Sequence, residues 1–313
     1  MAKTYLITGG AGNLACQHTF DLVERGHTVV LADIAERPTA PIADGCRYVQ
    51  LDVTRRDQLS AVLGEFRPDV LLHLASLLSG ASEANRELAW RVNMDGTFGL
   101  FEESLAHGVQ TVFFPSSLAA YGTPLPNPVP ADYPQWPVGL YGVTKAAIER
   151  LGNYYHACHG LDFRSVRLPI VVSAGAPPGA ASAYASRAFV ETVKDGHFQF
   201  RIRPLSRPSL IYVKDVLRAM TQLAEVPREN LTRTVYNVQA LSPTAEEIAG
   251  AIKARIPAAD IRFEIDPKIA DLIDSWPIEF EDQAARRDWG WFPQFDLDAM
   301  ADDFIAQLRE PVV

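Results

Sequence analysis

A tyrosine and a lysine one helical turn apart are the side chains of this sequence best placed to act together chemically. Tyr141 and Lys145 lie in a stretch with helical periodicity, so we expect both on one face of a helix. Tyrosine has a pKa of about 10 in water, and a nearby ammonium group or a positive nicotinamide ring favours the phenolate and lowers that pKa. A phenolate there can take the proton of an alcohol while a hydride leaves.

Two serines at the end of a predicted strand strengthen this interpretation. Ser116 and Ser117 end the apolar run that begins at Thr111. The hydroxyl of Ser117 can hydrogen-bond the reacting oxygen and hold it against Tyr141. A Tyr-x-x-x-Lys spacing alone is common by chance, but its combination with a strand-end serine and an N-terminal glycine turn is specific. Ser117, Tyr141 and Lys145 are therefore the predicted catalytic residues.

The glycine turn lies near the N-terminus, between a predicted strand and a predicted helix. Gly9, Gly12 and Ala15 follow a G-x-x-G-x-x-G/A spacing. The first glycine allows a tight turn, the second lets the backbone approach a pyrophosphate, and the small third residue lets the helix pack on the strand. Such a string is weak evidence alone, and its strand-turn-helix setting strengthens it. It predicts a dinucleotide site.

Two aspartates end the next predicted strands. A carboxylate at Asp33 can accept hydrogen bonds from the ribose hydroxyls of an adenosine and repels a 2′-phosphate, which favours NAD over NADP. Asp52 and Val53 follow the third strand. They either bracket the adenine or, for Asp52, begin the next helix as its N-cap.

The first half of the chain alternates short apolar runs with longer helix-like stretches. We predict strands at Thr4–Thr8, Thr28–Asp33, Arg47–Leu51, Val70–Leu74, Thr111–Pro115 and Phe163–Leu168, and helices at Asn13–Arg25, Arg55–Phe66, Glu83–His107 and Tyr141–His159. This alternation predicts an α/β fold, a Rossmann-type doubly wound parallel sheet. The proline-rich remainder predicts a smaller, irregular C-terminal substrate lobe. The expected domains are residues 1–170 plus 208–240, which bind NAD, and 171–207 plus 241–313.

Composition narrows the possible functions further. The 38 acidic residues outnumber the 29 basic ones, which gives a net charge of -9 and argues against nucleic-acid and membrane-surface partners. The sequence shows no secretory signal, no bilayer-spanning apolar run and three scattered cysteines, so we expect a cytoplasmic protein. It lacks the metal-binding, nucleophile-elbow and P-loop motifs, so we expect no metal site.

Several runs of residues resemble a known family. The glycine turn, His73-Leu-Ala, Ser116-Ser117, Tyr141 with Lys145 and Leu210-Ile-Tyr-Val-Lys-Asp215 resemble the extended short-chain dehydrogenase/reductases, the NAD-dependent epimerase/dehydratase family. Within them the chain is most similar to the epimerase-like L-threonine 3-dehydrogenases, over nearly its full length. The most distinctive match is Asp274-Ser-Trp-Pro277 followed by Ala285-Arg-Arg-Asp-Trp-Gly-Trp291.

This resemblance implies roles for individual residues. Tyr141 would be the base, Lys145 would orient the nicotinamide ribose, and Ser117 would polarise the substrate hydroxyl. The implied NAD-binding residues are Gly9, Gly12, Asn13, Leu14, Asp33, Asp52, Val53, Leu74, Ala75, Asn93, Tyr141, Lys145 and Leu168. The implied substrate-binding residues are Ser79, Ser117, Tyr141, Gly179, Ser182 and Trp276. The implied reaction is NAD-dependent oxidation of L-threonine to 2-amino-3-ketobutyrate, by a homodimer that pairs through its two long helices.

Two departures from the family pattern leave the substrate open. Leu168-Pro169-Ile170 stands where the family has Tyr-Pro-Gly, and Gly179-Ala-Ala-Ser-Ala-Tyr184 replaces a Gly-Gly-Thr-Thr-Asp-Tyr loop. A site built to hydrogen-bond one ligand can reject an analogue strongly, so such changes can redirect specificity. The alternatives are a sugar-acid (aldonate) dehydrogenase, a nucleotide-sugar epimerase or dehydratase with tightly held NAD, and a redox-sensing regulator on the same fold.

Overall fold

The chain divides into two compact units in a computed structural model that describes residues 2–176 and 180–310. The first unit comprises residues 1–122, 135–167 and 217–236, and the second comprises 123–134, 168–216 and 237–313. This division differs from the predicted domains, because 123–134 and 208–216 belong to the second unit. Val129 bridges to Phe280 there, and Leu210–Tyr212 pairs with Ile170–Val172.

Strands and helices alternate along the N-terminal part of the chain. In order, the elements are β1 (Thr4–Thr8), α1 (Asn13–Glu24), β2 (Thr28–Asp33), β3 (Arg47–Gln50), α2 (Arg56–Phe66), β4 (Val70–His73), α3 (Ser79–Ala84), α4 (Arg86–Trp90), α5 (Gly96–Ala106), β5 (Thr111–Ser117), α6 (Leu140–His159) and β6 (Asp162–Leu168). A π-helical turn, Arg91–Asp95, joins α4 to α5.

The remaining elements are shorter. They are β7 (Ile170–Val172), α7 (Tyr184–Asp195), β8 (His197–Phe200), β9 (Leu210–Tyr212), α8 (Val213–Glu225), β10 (Val235–Asn237), α9 (Ala245–Arg255), β11 (Asp260–Phe263), α10 (Pro267–Asp274), α11 (Gln283–Trp289) and α12 (Leu297–Arg309). Among the residues described, no helix combines the length and apolar character needed to cross a bilayer.

The central sheet has seven strands in the order β10-β6-β5-β4-β1-β2-β3. The pairs β3–β2, β2–β1, β1–β4 and β4–β5 are parallel, with Thr8 in register with both Ala32 and His73. Strands β1, β2 and β4 are almost wholly buried, as expected for a parallel sheet covered on both faces. The chain leaves β1 toward β2 and later returns on the other side at β4. The carboxyl ends of β1 and β4 therefore flank a topological switch point, where ligands bind in such sheets.

The predicted fold class is confirmed, and β1 and β2 have the predicted bounds. The single long helix predicted over Glu83–His107 is wrong. Asn85 leaves the helical conformation with φ -142° and its side chain accepts a hydrogen bond from the Leu88 N–H, so one helix ends there and another begins. The π-helical turn then interrupts the chain again before α5.

The second unit has its own apolar core and small parallel sheets. Strand β8 pairs with β11, and β7 pairs with β9. The rings of Phe200 and Phe263 stack 5.0 Å apart, and those of Phe189 and Phe304 lie 5.4 Å apart. Helix α7 was not predicted, since the preceding run of Ala, Gly, Pro and Ser residues indicated a loop. Nevertheless its residues Ala185, Ala188, Phe189 and Thr192 are buried with helical spacing.

Helix α6 approaches β6 so closely that only a glycine fits between them. A Cβ atom at Gly152 would lie 2.3 Å from Cε1 of the Phe163 ring. The approach brings the catalytic helix against the sheet, because α6 also carries Tyr141 and Lys145.

We predict that Gly152→Ala lowers the free energy of unfolding by about 1–3 kcal/mol, because the methyl group overpacks a closed contact. The matched control is Gly250→Ala in helix α9, where nothing lies within 4 Å of the new Cβ. That change should stabilise the protein by about 0.5–1 kcal/mol through helix propensity. Urea denaturation followed by circular dichroism compares the two. Equal stabilisation by both substitutions would contradict the close approach.

Candidate active site

The site begins where β1 ends, at the switch point of the sheet. Gly9 has φ +71°, and a Cβ there would lie 2.6 Å from the Ala75 nitrogen and 2.7 Å from the Leu74 carbonyl carbon. The turn after β1 and the segment after β4 are thus in backbone contact, and only glycine permits it. This contact brings the predicted cofactor residues Gly9, Leu74 and Ala75 together.

Helix α1 begins directly after this turn, at Asn13, and its first turn is open. Gly12 is the N-cap residue and provides no side-chain cap, and the first turn carries no acidic residue. The free N–H groups of such a helix end attract phosphate oxygens. Gly12, Asn13 and Leu14 therefore form a cradle of the kind a pyrophosphate requires, which fits the predicted dinucleotide.

Asp33 connects this turn to the end of β2. Its Oδ2 accepts a hydrogen bond from the Ala11 N–H at 3.0 Å, and its Oδ1 accepts one from the Ala35 N–H at 3.0 Å. Each carboxylate oxygen keeps a further lone pair. The carboxylate is thus oriented by the protein and still able to accept hydrogen bonds from ribose hydroxyls.

Asp52 does not cap helix α2, so that alternative is wrong. Arg55 occupies the N-cap position, and Asp52 instead closes the preceding turn. Its Oδ1 accepts hydrogen bonds from the N–H of Thr54 at 2.9 Å and from its hydroxyl at 2.8 Å. Val53 packs against the first turn of α5, where a Cβ at Gly96 would lie 3.2 Å from a Val53 methyl carbon.

A buried histidine that the sequence analysis gave no role links the strand ends. His73 Nδ1 lies 2.7 Å from the Thr8 hydroxyl, and its Nε2 lies 2.9 Å from the Thr97 hydroxyl. The Thr97 hydroxyl donates to the Asn93 carbonyl, so it must accept from Nε2–H, and Nδ1 then accepts from Thr8. Burial, together with the positive charge of Lys145, lowers the pKa of His73 to about 3. The ring is therefore neutral at physiological pH.

Asn93 fixes the segment that follows β4. Its Oδ1 accepts from the Leu77 N–H at 2.8 Å, and its Nδ2 donates to the Leu77 carbonyl at 3.1 Å. A third contact, at 3.3 Å, reaches the Thr144 hydroxyl on α6. The side chain predicted to contact the cofactor thus joins the loop after β4 to the catalytic helix.

The predicted catalytic residues lie together at the end of β5 and the start of α6. The Ser117 side chain is hydrogen-bonded to Tyr141. Lys145 Nζ donates to the Pro115 carbonyl at 2.6 Å and lies 4.1 Å from the centre of the Phe114 ring and 5.3 Å from that of Tyr141. Ser116 points elsewhere, to Glu149, so the structure distinguishes the two serines.

Burial shifts the pKa values of the tyrosine and the lysine in opposite directions. It raises the pKa of Tyr141 to about 12, against a lowering by the Ser117 hydrogen bond. It lowers the pKa of Lys145 to about 7, against a raising by the charge of Glu149. The lowered tyrosine pKa predicted from the sequence is therefore not found in the protein alone, because desolvation of the phenolate outweighs its neighbours. That prediction included a positive nicotinamide ring beside the phenol.

The predicted substrate residues are distributed over both units. Ser79 begins α3 in the first unit, and α3 is tied to the catalytic helix by a 2.8 Å hydrogen bond from the Leu140 N–H to Glu83 Oε1. Ser182, in a 3₁₀ turn at Ala181–Ala183, and Trp276, after α10, belong to the second unit. Leu168 ends β6 and is buried. Gly179 lies outside the described residues.

The described part of the chain contains no cluster of three or more His, Cys, Asp or Glu side chains able to hold a metal ion. The basic run after β8 is occupied by carboxylates of α10 and its N-cap. Arg203 forms ion pairs at 2.6 Å with both Asp271 and Asp274, and Arg201 pairs with Asp266. These arginines are therefore already paired within the second unit.

The sheet, the open helix end and the Ser-Tyr-Lys group together define a dinucleotide-dependent oxidoreductase. A sequence model of the NAD dependent epimerase/dehydratase family matches residues 5–238. The chain is 36% identical over 296 residues to the mitochondrial L-threonine 3-dehydrogenase of Bos taurus, which covers 93% of this chain and 79% of the bovine protein.

Solved structures give the same result. An L-threonine dehydrogenase from Clostridium difficile superposes with a TM-score of 0.91 at 32% identity, covering 98% of both chains. The holo form of a GalE-like L-threonine dehydrogenase from Cupriavidus necator gives 0.90 at 31% identity, covering 98% of this chain and 100% of the other. The chain belongs to the NAD-dependent epimerase/dehydratase family, the extended short-chain dehydrogenase/reductases. Its predicted class, an NAD-dependent dehydrogenase, is confirmed with the family.

We predict that Gly9→Ala raises the dissociation constant for NADH at least about tenfold, which corresponds to ~1.4 kcal/mol. The new methyl group would collide with the Leu74–Ala75 backbone and displace the turn. Gly108→Ala is the matched control: its φ of +70° imposes the same backbone strain, but nothing lies within 4 Å of the new Cβ. Fluorescence titration with NADH measures both. A loss of affinity in the control equal to that of Gly9→Ala would attribute the effect to strain alone.

Proposed function

We propose that this protein oxidises the secondary alcohol of L-threonine with NAD, giving 2-amino-3-ketobutyrate. The observation that carries the proposal is the Ser117–Tyr141 hydrogen bond beside the buried Lys145 amino group. This arrangement can take a proton from an alcohol and has no evident use in a protein that only binds NAD. The similarity to L-threonine dehydrogenases over nearly the full chain supports the choice of substrate.

NAD supplies the hydride acceptor when it is bound, and the chain's residues hold it. The N–H groups at Gly12, Asn13 and Leu14 would bind the pyrophosphate, and Asp33 the adenosine ribose, which favours NAD over NADP. The further residues assigned to the cofactor are Gly9, Asp52, Val53, Leu74, Ala75, Asn93, Tyr141, Lys145 and Leu168.

Proton transfer is assigned to Tyr141. Its Oη accepts the proton of the substrate hydroxyl, while Ser117 holds that hydroxyl by a hydrogen bond. Since burial raises the pKa of Tyr141 to about 12, few phenols are ionised at neutral pH unless positive charge is nearby. Lys145 provides such a charge within the site when it is protonated. We therefore expect oxidation to become faster as the pH rises through neutrality.

The substrate is assigned to Ser79, Ser117 and Tyr141 of the first unit and to Gly179, Ser182 and Trp276 beyond it. Alanines at positions 180 and 181 stand where the family has hydroxyl-bearing or glycine residues, so this edge offers few hydrogen bonds. That observation keeps a sugar-acid dehydrogenase as the second candidate. A nucleotide-sugar epimerase or dehydratase remains a third outcome of the test.

The test is the formation of NADH by the purified protein with NAD and, in parallel, L-threonine, a panel of aldonates and UDP-sugars. We expect turnover of L-threonine. Oxidation of an aldonate without L-threonine turnover would contradict the substrate and keep the chemistry. Conversion of a UDP-sugar without net NADH would contradict the dehydrogenase assignment.

The same assay tests the base. Tyr141→Phe should lower kcat by at least about 10²-fold, because it removes the proton acceptor, and should leave NADH affinity nearly unchanged. Tyr5→Phe is the control, since Tyr5 lies in β1 and its hydroxyl bonds Glu225, and it should keep wild-type kcat. Full activity of Tyr141→Phe would assign the base to another group.

We propose further that the protein is a homodimer. Trp90, Phe98, Val143 and Tyr154 are each about two fifths to a half exposed, and they lie on α4, α5 and α6 of the first unit. Val143 and Tyr154 are three helical turns apart and share one face of α6. A second copy related by a twofold axis would cover the same face on both partners.

We predict that Phe98→Glu converts a dimer to a monomer in light scattering coupled to gel filtration, because it places a charge in a buried apolar contact. Leu205→Glu, at a 73% exposed position of the second unit, is the control and should leave the mass unchanged. A wild-type monomer, or a Phe98→Glu dimer, contradicts the proposed interface.

A further inference from the structure

A fully buried ion pair lies behind the catalytic residues. The Glu149 side chain on α6 has no solvent exposure, and Arg167 on β6 is 4% exposed. Arg167 Nε donates to Glu149 Oε1 at 2.9 Å, and its Nη2 donates to Oε2 at 2.7 Å. This two-bond geometry is the strongest form of such a pair.

Further donors complete the coordination of the same carboxylate. Ser116 Oγ donates to Oε1 at 2.5 Å, and Gln135 Nε2 donates to Oε2 at 2.8 Å. Arg167 is held in turn by the Tyr121 hydroxyl, 2.6 Å from Nη1. Glu149 is therefore an ionised acceptor in a fixed place, since four hydrogen bonds to a carboxylate favour its charged form.

This carboxylate lies between the two halves of the catalytic group. Glu149 is one helical turn beyond Lys145, on the same face of α6. Its partner Ser116 immediately precedes Ser117 on β5. One side chain thus anchors the strand end that presents the serine and places negative charge near the lysine.

The surroundings of Lys145 otherwise disfavour its charge. Its nitrogen has the Pro115 carbonyl as hydrogen-bond acceptor and the Phe114 ring below it. His73, on the adjacent strand β4, is neutral because burial holds its pKa at about 3. Tyr141 is un-ionised at neutral pH, since burial raises its pKa to about 12. Burial lowers the pKa of Lys145 to about 7, and the charge of Glu149 raises it.

We propose that Glu149 is a positioning residue of this site: its fixed carboxylate, oriented by Arg167 and Ser116, keeps the Lys145 amino group protonated. The inference rests on the proposed function, in which a protonated Lys145 supports Tyr141. Removing the charge of Glu149 disfavours the ammonium form of Lys145. Its pKa then falls, and the protonated fraction at neutral pH falls with it.

The experiment is an NMR titration of the full chain labelled with ¹³C at lysine Cε, without substrate. The Lys145 signal is assigned by its loss in Lys145→Met. We expect the pKa of Lys145 in Glu149→Gln to lie about one unit or more below that of the wild type. At neutral pH this corresponds to a loss of up to about tenfold in the protonated fraction.

A structural control is available on the same strand. Asp162 and Arg164 of β6 form a second buried pair with the same two-bond geometry, at 3.0 and 2.6 Å. Asp162→Asn removes an equivalent buried charge away from Lys145. It should destabilise the fold and leave the Lys145 titration unchanged. An equal shift in this variant would show that the effect follows loss of stability rather than the charge of Glu149.

If Glu149→Gln does not fold, the double variant Glu149→Gln with Arg167→Gln answers the question, because it leaves no uncompensated buried cation. It should show the same fall in the pKa of Lys145. A wild-type pKa in whichever of these variants folds overturns the proposal. Because no substrate is present, a protein that fails to oxidise L-threonine can still show the shift, which separates this inference from the proposed function.

Discussion

Burying the amino group of Lys145 constrains everything around it, because an ammonium ion loses most of its hydration at such a depth. The protein returns one hydrogen bond at 2.6 Å, an aromatic face at 4.1 Å and a nearby carboxylate. With its pKa lowered to about 7, the lysine is balanced between its two protonation states near neutrality. A group so balanced responds to small changes in nearby charge, which makes its neighbours part of the chemistry.

The two buried arginine–carboxylate pairs of β6 illustrate how position decides the role of similar interactions. Arg164 pairs with Asp162 and also donates to the Leu223 and Val226 carbonyls at 2.6 Å, which joins β6 to the end of α8. Arg167 pairs with a carboxylate on the catalytic helix. Buried pairs are weak sources of net stability compared with apolar packing. Their value lies in fixing geometry, for the sheet edge in one case and for the active site in the other.

Local patterns predicted what local forces determine. The bounds of β1 and β2, the glycine turn and the Tyr-x-x-x-Lys helix follow from periodicity and short-range stereochemistry. The choice of Ser117 over Ser116 also agrees with the hydrogen bond to Tyr141. Contacts between residues distant in sequence were missed, such as His73 with Thr8 and Glu149 with Arg167. A carboxylate in the buried phase of an amphipathic helix was a signal for the second of these. The burial that raises the Tyr141 pKa was equally invisible, because it depends on tertiary packing.

The π-helical turn at Arg91–Asp95 has a consequence for how this segment can vary in length. The turn holds one residue more than a regular helical turn, and it carries Asn93, which grips Leu77, just before Thr97, which meets His73. Deleting a single residue here would restore a regular helix and rotate all that follows by ~100° about the axis. Thr97 would then face away from the ring it contacts. Insertions and deletions in homologous chains should therefore accumulate in surface loops and avoid this turn, whatever residues occupy it.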